Sequence, residues 1–242
     1  MNTRVQVVAS AGHRCAGFSL LEILVVVGLI AALAVIAFHG LAGGGREAAM
    51  RASQTLLADL VTAARTKAIA TGCKTRLLVN TDPVQPDRYL RLVILQVGRE
   101  AGPSPAHWDT FQRLNLSTGV FIVPASLAGL VSNSAEWKRV SDPAADLVSD
   151  LFTAQILSES LEGDAAPQWW AGVAFTPVGT LATVVSGPPP KGALVLALGR
   201  PRAASAYVPG DPPIELEHPA AVRGLLLSAY GVPTLLGDRN AF

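Results

Sequence analysis

The 21 residues from Phe18 to Phe38, "FSLLEILVVVGLIAALAVIAF", carry a single formal charge, Glu22, and constrain the chain more than any other feature. As a helix they extend roughly 31 Å at 1.5 Å per residue, enough to cross a bilayer core. A buried helix of a water-soluble protein usually shows one apolar stripe, whereas this run is apolar on every side. Membrane insertion is the expectation. Arg4 and Arg14 precede the run and no acid does. The positive-inside rule therefore puts residues 1–17 in the cytoplasm and everything after about residue 40 across the membrane.

A secretory signal peptide has small residues at the far side of its apolar core. Here the small pair, Ala16-Gly17, stands before it. Cleavage after Gly17 would keep the apolar segment on the mature chain and create a free amine on Phe18, one helical turn from Glu22. Two readings of Glu22 follow. The carboxylate snorkels to the headgroups near the helix end, or it pairs with an amine, and pairing with a neighbouring chain's amine would set the register of helices packed side by side.

Gly17-Phe18-Ser19-Leu20-Leu21-Glu22 followed by an unbroken apolar helix resembles the class III signal of type IV pilins and type II secretion pseudopilins. The resemblance implies cleavage between Gly17 and Phe18 by a prepilin peptidase, N-methylation of Phe18, and docking of each subunit onto other pilin or pseudopilin subunits through Glu22. It also implies a pilin fold of the α+β class, a long N-terminal helix packed on an antiparallel sheet. The expected organisation is a leader over 1–17, a transmembrane and filament-core helix over 18–38, a hinge and amphipathic helix over 39–72, and a periplasmic head over 73–242 with an insertion at about 125–166.

Arg46 to Thr71 has Leu56, Leu57, Leu60, Val61, Ala64 and Ala68 at helical spacing, and Gly72 is placed to end the helix. Gly40 and Gly43 to Gly45 weaken helix and predict an interruption. Beyond Cys73 the chain reads as strands: 74–80, 89–97, a hairpin of 108–114 with 119–123, then 169–175, 180–185, 193–198, 222–230 and 233–236. Ser141-Asp142-Pro143, followed by Leu147, Val148, Leu151, Phe152 and Ile156, predicts a helix ending near Glu162. "AARTKAIATGCKTRLLV" (63–79), "GVAFTPVGTL" (172–181) and "RGLLLSAYGVPTLL" (223–236) are similar to segments of H-type pseudopilins and FimT-like minor pilins.

No catalytic constellation is visible, and neither an enzyme nor a cofactor is expected. His13, His39, His107 and His218 are scattered, and no Cys-x-x-Cys or Gly-x-Ser-x-Gly occurs. Asp211, Glu215 and Glu217 read as a solvated acidic edge sooner than a calcium loop. Trp169-Trp170 reads as a core residue beside a strand-edge residue, and Cys73 as a small buried residue. From Phe18 onward 17 basic residues face 18 acidic ones, which argues against a chain built to coat nucleic acid. The leading expectation is a structural minor subunit of a pseudopilus or pilus, single-pass in the inner membrane. The alternative is a minor pilin whose head binds DNA or another ligand in uptake or adhesion, and DNA binding requires Arg88, Arg91, Lys138, Arg139, Arg200, Arg202 and Arg223 to converge.

Overall fold

A computed structural model describes residues 20–100, 107–152, 156–160, 166–184, 192–203 and 211–242. Helix α1 runs from Leu20 to Thr71. The chain divides into two compact units between Gly44 and Gly45. Gly40 and the Gly43–Gly45 run do not interrupt the helical backbone as expected; a glycine costs a helix about 1 kcal/mol against alanine but does not forbid it. Gly72, at φ +65°, supplies the left-handed residue that ends α1.

The second unit is α+β, consistent with the pilin-like arrangement expected. Its strands are β1 (Thr75–Asn80), β2 (Leu92–Gly98), β3 (Trp108–Asn115), β4 (Val120–Ile122), β5 (Ile156–Glu159), β6 (Gln168–Phe175), β7 (Leu181–Thr183), β8 (Gly192–Pro201), β9 (Ile214–Leu227) and β10 (Pro233–Leu236). They form two antiparallel sheets. One has the order β3-β2-β1-β6-β5, with β7 beside the second half of β6, and the other the order β10-β9-β8-β4. The anticipated β3–β4 hairpin does not form, because β3 pairs with β2 and β4 with β8. The difference lies in burial: β3 is exposed along nearly its whole length, as suits a sheet edge, while all of β4 is buried.

The helical part of this unit fills the space between the sheets. Met50, Leu57, Leu60, Val61, Ala64 and Ala68 pack with Leu77, Val79, Val93, Leu95, Val173, Phe175, Leu194, Leu196 and Leu225. Leu56, expected on the buried stripe, is exposed. Gln54 is buried instead, because its amide donates to the carbonyls of Gly224 (2.7 Å) and Leu236 (2.9 Å) and ties α1 to β9 and β10.

Among the described residues the helix expected after Pro143 does not form beyond a single 3-10 turn at Asp150–Phe152, and residues 153–155 and 161–162 of the expected span lie outside them. Asp142 does act as a turn former, accepting from the Ala144 amide at 3.1 Å, but the chain then extends. A bridge joins Lys138 to Asp146, and the Leu147 amide donates to the Trp137 carbonyl. Leu147 and Ser149 are buried and Val148 between them is half-buried, before the chain closes into a 3-10 turn at Asp150–Phe152 that buries Leu151. The Ser149 hydroxyl accepts from the Val195 amide at 2.9 Å. Helix propensity differs by at most about 0.7 kcal/mol per ordinary residue, whereas burying one leucine contributes about 2 kcal/mol. Tertiary burial wins. Leu127, Leu130, Trp137 and Leu147 of this insertion cover the back of the four-stranded sheet against Phe121, Val195, Leu216, Val222 and Phe242.

Strand β9 begins eight residues before the expected Val222. Its register against β8 slips between Ala197, opposite Val222, and Leu198, opposite Glu217, so His218 to Ala221 bulge out. Pro219 cannot donate to a ladder and is accommodated in the bulge, next to His218 at φ +46°.

Candidate functional site

Gly17 and Phe18, the expected cleavage pair, lie outside the described residues, as does the side chain of Glu22; the Glu22 backbone is part of α1. Around it Leu20, Leu21, Ile23, Leu24, Val25, Val26, Val27, Leu29 and Ile30 are all about half exposed or more, from 49% to 82%. Residues this closely spaced point to every side of a helix, so apolar side chains are exposed all round it over residues 20–30. A surface of that kind marks an interaction with lipid or protein. Among the described residues no helix is long and apolar enough to cross a membrane; the side chains of residues 32–38, the second half of the expected span, lie outside them.

The second unit begins with a charged clasp. Arg46, Glu47 and Arg51 occupy the first turns after Gly45, where Met50 and Ser53 provide the first buried anchors. The Glu47 carboxylate accepts from Arg223 Nε of β9 (3.0 Å) and from Arg51 Nε (3.2 Å). Arg46 reaches Glu217 (2.7 Å), which Arg200 of β8 also approaches (3.7 Å) while pairing with Glu215 (3.1 Å). The Arg223 hydrogen bond holds Glu47 below the usual carboxylate range. The folded chain therefore gains stability from Glu47 above the unfolded carboxylate pKa and loses it as pH falls through the lowered folded value. Glu47 is 42% exposed, so solvent screening limits the contribution to at most about 1 kcal/mol. A Glu47→Gln variant is expected to unfold at a lower temperature than wild type at pH 7 and at the same temperature near pH 2. Melting curves that stay parallel across that range would count against the clasp.

These pairs bear on the other sequence expectations. Glu215 and Glu217 are engaged by arginines, and among the described residues no cluster of three or more His, Cys, Asp and Glu side chains suits a metal ion. The seven basic residues needed for a DNA-binding face are spread over internal contacts. Arg91 bonds the Leu116 carbonyl and Arg202 that of Gly129, Lys138 pairs with Asp146, Arg139 with Asp150, and Arg200 and Arg223 with glutamates. Arg88 also has a partner. Trp170 is fully buried and Trp169 is 51% exposed, as the sequence suggested, whereas Cys73 is half-buried and unpaired.

Sequence reasoning missed the clasp. Glu47 and Arg51 stand at i, i+4, a readable signal, but nothing local points Glu47 at Arg223, which is 176 positions away.

The stretch that precedes and enters α1 bears on the functional class. Residues 12–38 match the prokaryotic N-terminal methylation motif. The motif is a signal of the type IV pilin and pseudopilin family, and it supports a pilin-like structural protein that is processed at its N-terminus, membrane-anchored and exported. It covers 27 of the 242 residues. Searches of the curated proteins and of the solved structures find no match.

Proposed function

We propose that the chain is a minor structural subunit of a type II secretion pseudopilus or type IV pilus. In this reading prepilin peptidase cuts between Gly17 and Phe18, Phe18 is N-methylated, and residues 18–38 hold the subunit in the bacterial inner membrane with the head in the periplasm. Assembly moves the apolar helix from lipid into a filament core, where Glu22 pairs with the amine of a neighbouring subunit. An ionised carboxylate in lipid costs several kcal/mol unless partnered, which gives the pairing its selectivity. The segments 63–79, 172–181 and 223–236, which resemble those of H-type and FimT-like minor subunits, are the basis for the minor-subunit part of this reading.

The observation that carries the reading is the coincidence of the methylation motif over 12–38 with a helix whose apolar side chains are exposed on all sides. An intact-mass measurement of the chain expressed with and without an active prepilin peptidase tests it. Loss of Met1 to Gly17 with one methyl group gained is the expected result. An unprocessed chain beside an active peptidase would overturn it.

A further inference from the structure

The most distinctive feature outside the helix is a cavity at the seam of the two sheets. Val79 of β1, Ala171 of β6 and Ile122 of β4 form its walls, and Leu90 and Pro124 to Ser126 complete it. Its volume is about 170 Å³, and it is open on one side. Val79 and Ala171 are cross-strand partners on the inner face of the larger sheet. Thr81 lies one residue beyond β1, and its amide donates to the Trp169 carbonyl, which continues the same register. Thr81 therefore shares that inner face.

Three observations distinguish this cavity from a packing gap. First, Thr81 Oγ1 is buried and has no hydrogen-bond partner, although buried hydroxyls are nearly always satisfied. Second, Leu90 holds φ +54°, a conformation that leucine rarely adopts. It is held there by two bonds that join the sheets: its amide donates to the Asn80 carbonyl (2.8 Å), and its carbonyl accepts from the Ile122 amide (2.9 Å). Backbone strain of this kind persists only where the surroundings enforce it. Third, two wall positions are alanines, Ala125 and Ala171, which leave the space open. Exposure rises from Pro124 and Ala125, half-buried, to Ser126, exposed, so the mouth lies on that side.

We propose that this cavity is a binding site for a small amphiphilic molecule with one benzene-sized apolar group and one hydrogen-bond acceptor. A dry apolar cavity of about 150 Å³ holds benzene. Val79, Leu90, Ile122 and Ala171 supply the apolar contact, and the Thr81 hydroxyl donates to the acceptor. The site depends on no step of filament assembly, so its failure leaves the assembly reading intact.

The test uses the full chain in lipid nanodiscs with two probes of similar shape, acetophenone, which carries a carbonyl acceptor, and ethylbenzene, which does not. Binding is read from the NMR shifts of the Val79, Leu90 and Ile122 methyl groups. Both probes are expected to give saturable shifts that vanish in Ala125→Leu, which fills the cavity from its rim. Ala171→Val is a second filler should the rim loop rearrange. Thr81→Val should weaken acetophenone about fivefold, the ratio that one neutral hydrogen bond supports, and leave ethylbenzene unchanged. Absent shifts, as for a hydroxyl bonded to water only, shifts that survive filling, or a Thr81→Val variant that treats both probes alike would each overturn the proposal.

Discussion

Glu22→Ala is expected to leave the chain processed and inserted in the membrane and to remove it from filaments. Alanine is the best helix former and carries no charge, so the substitution makes residues 18–38 more apolar and insertion easier. In the proposed assembly it removes the carboxylate that would neutralise a neighbour's Phe18 amine. An ammonium left unpaired in a low-dielectric helix bundle costs several kcal/mol, enough to reduce incorporation by orders of magnitude. Fractionating cells into membrane and sheared filaments, with intact mass reporting cleavage, separates the steps. Normal incorporation of the variant would reduce Glu22 to a snorkelling residue at the helix end.

The second large effect is expected inside the head. Gly172 sits in β6 opposite Leu78 of β1. A Cβ added there would lie 1.9 Å from the Leu77 carbonyl oxygen and 2.9 Å from Leu78 Cδ2. Backbone cannot yield as a side-chain tip can, so β1 and β6 would have to separate at the middle of the larger sheet. Overpacking costs about 1–3 kcal/mol where side chains can shift, and a clash with main chain exceeds that range. Gly172→Ala is expected to lower the thermal midpoint of the head by 10 °C or more, on the order of what about 3 kcal/mol does in a domain of this size. Gly45→Ala provides the control, since a Cβ there meets nothing within 4 Å. That change should be neutral or stabilising by up to about 1 kcal/mol. Equal melting of the two variants would show that the strands are not as closely paired as described.

Local chemistry made much of the protein legible. Gly72 ends α1 because a left-handed residue is needed there and glycine adopts it without strain. Most strands lie within a few residues of where β-branched runs and turn residues put them. The insertion and the head's polar sites were less readable. Leu147, Val148, Leu151 and Ile156 satisfy a helical spacing, but the back of the four-stranded sheet, which covers Leu147 and offers the Val195 amide to Ser149, holds 147–149 extended and leaves only a 3-10 turn at Asp150–Phe152.

The N-terminal signal is local: the glycine and phenylalanine pair, the carboxylate at Glu22 and the apolar run lie next to one another in the chain, and a helix needs only neighbours to form. Tertiary structure alone decided that there are two sheets, that Glu47 meets Arg223, and that Thr81, Leu90, Ile122 and Ala171 surround one cavity. Those contacts join residues from nine to 176 positions apart. Such pairings depend on which faces are buried, and the local sequence carries no record of that.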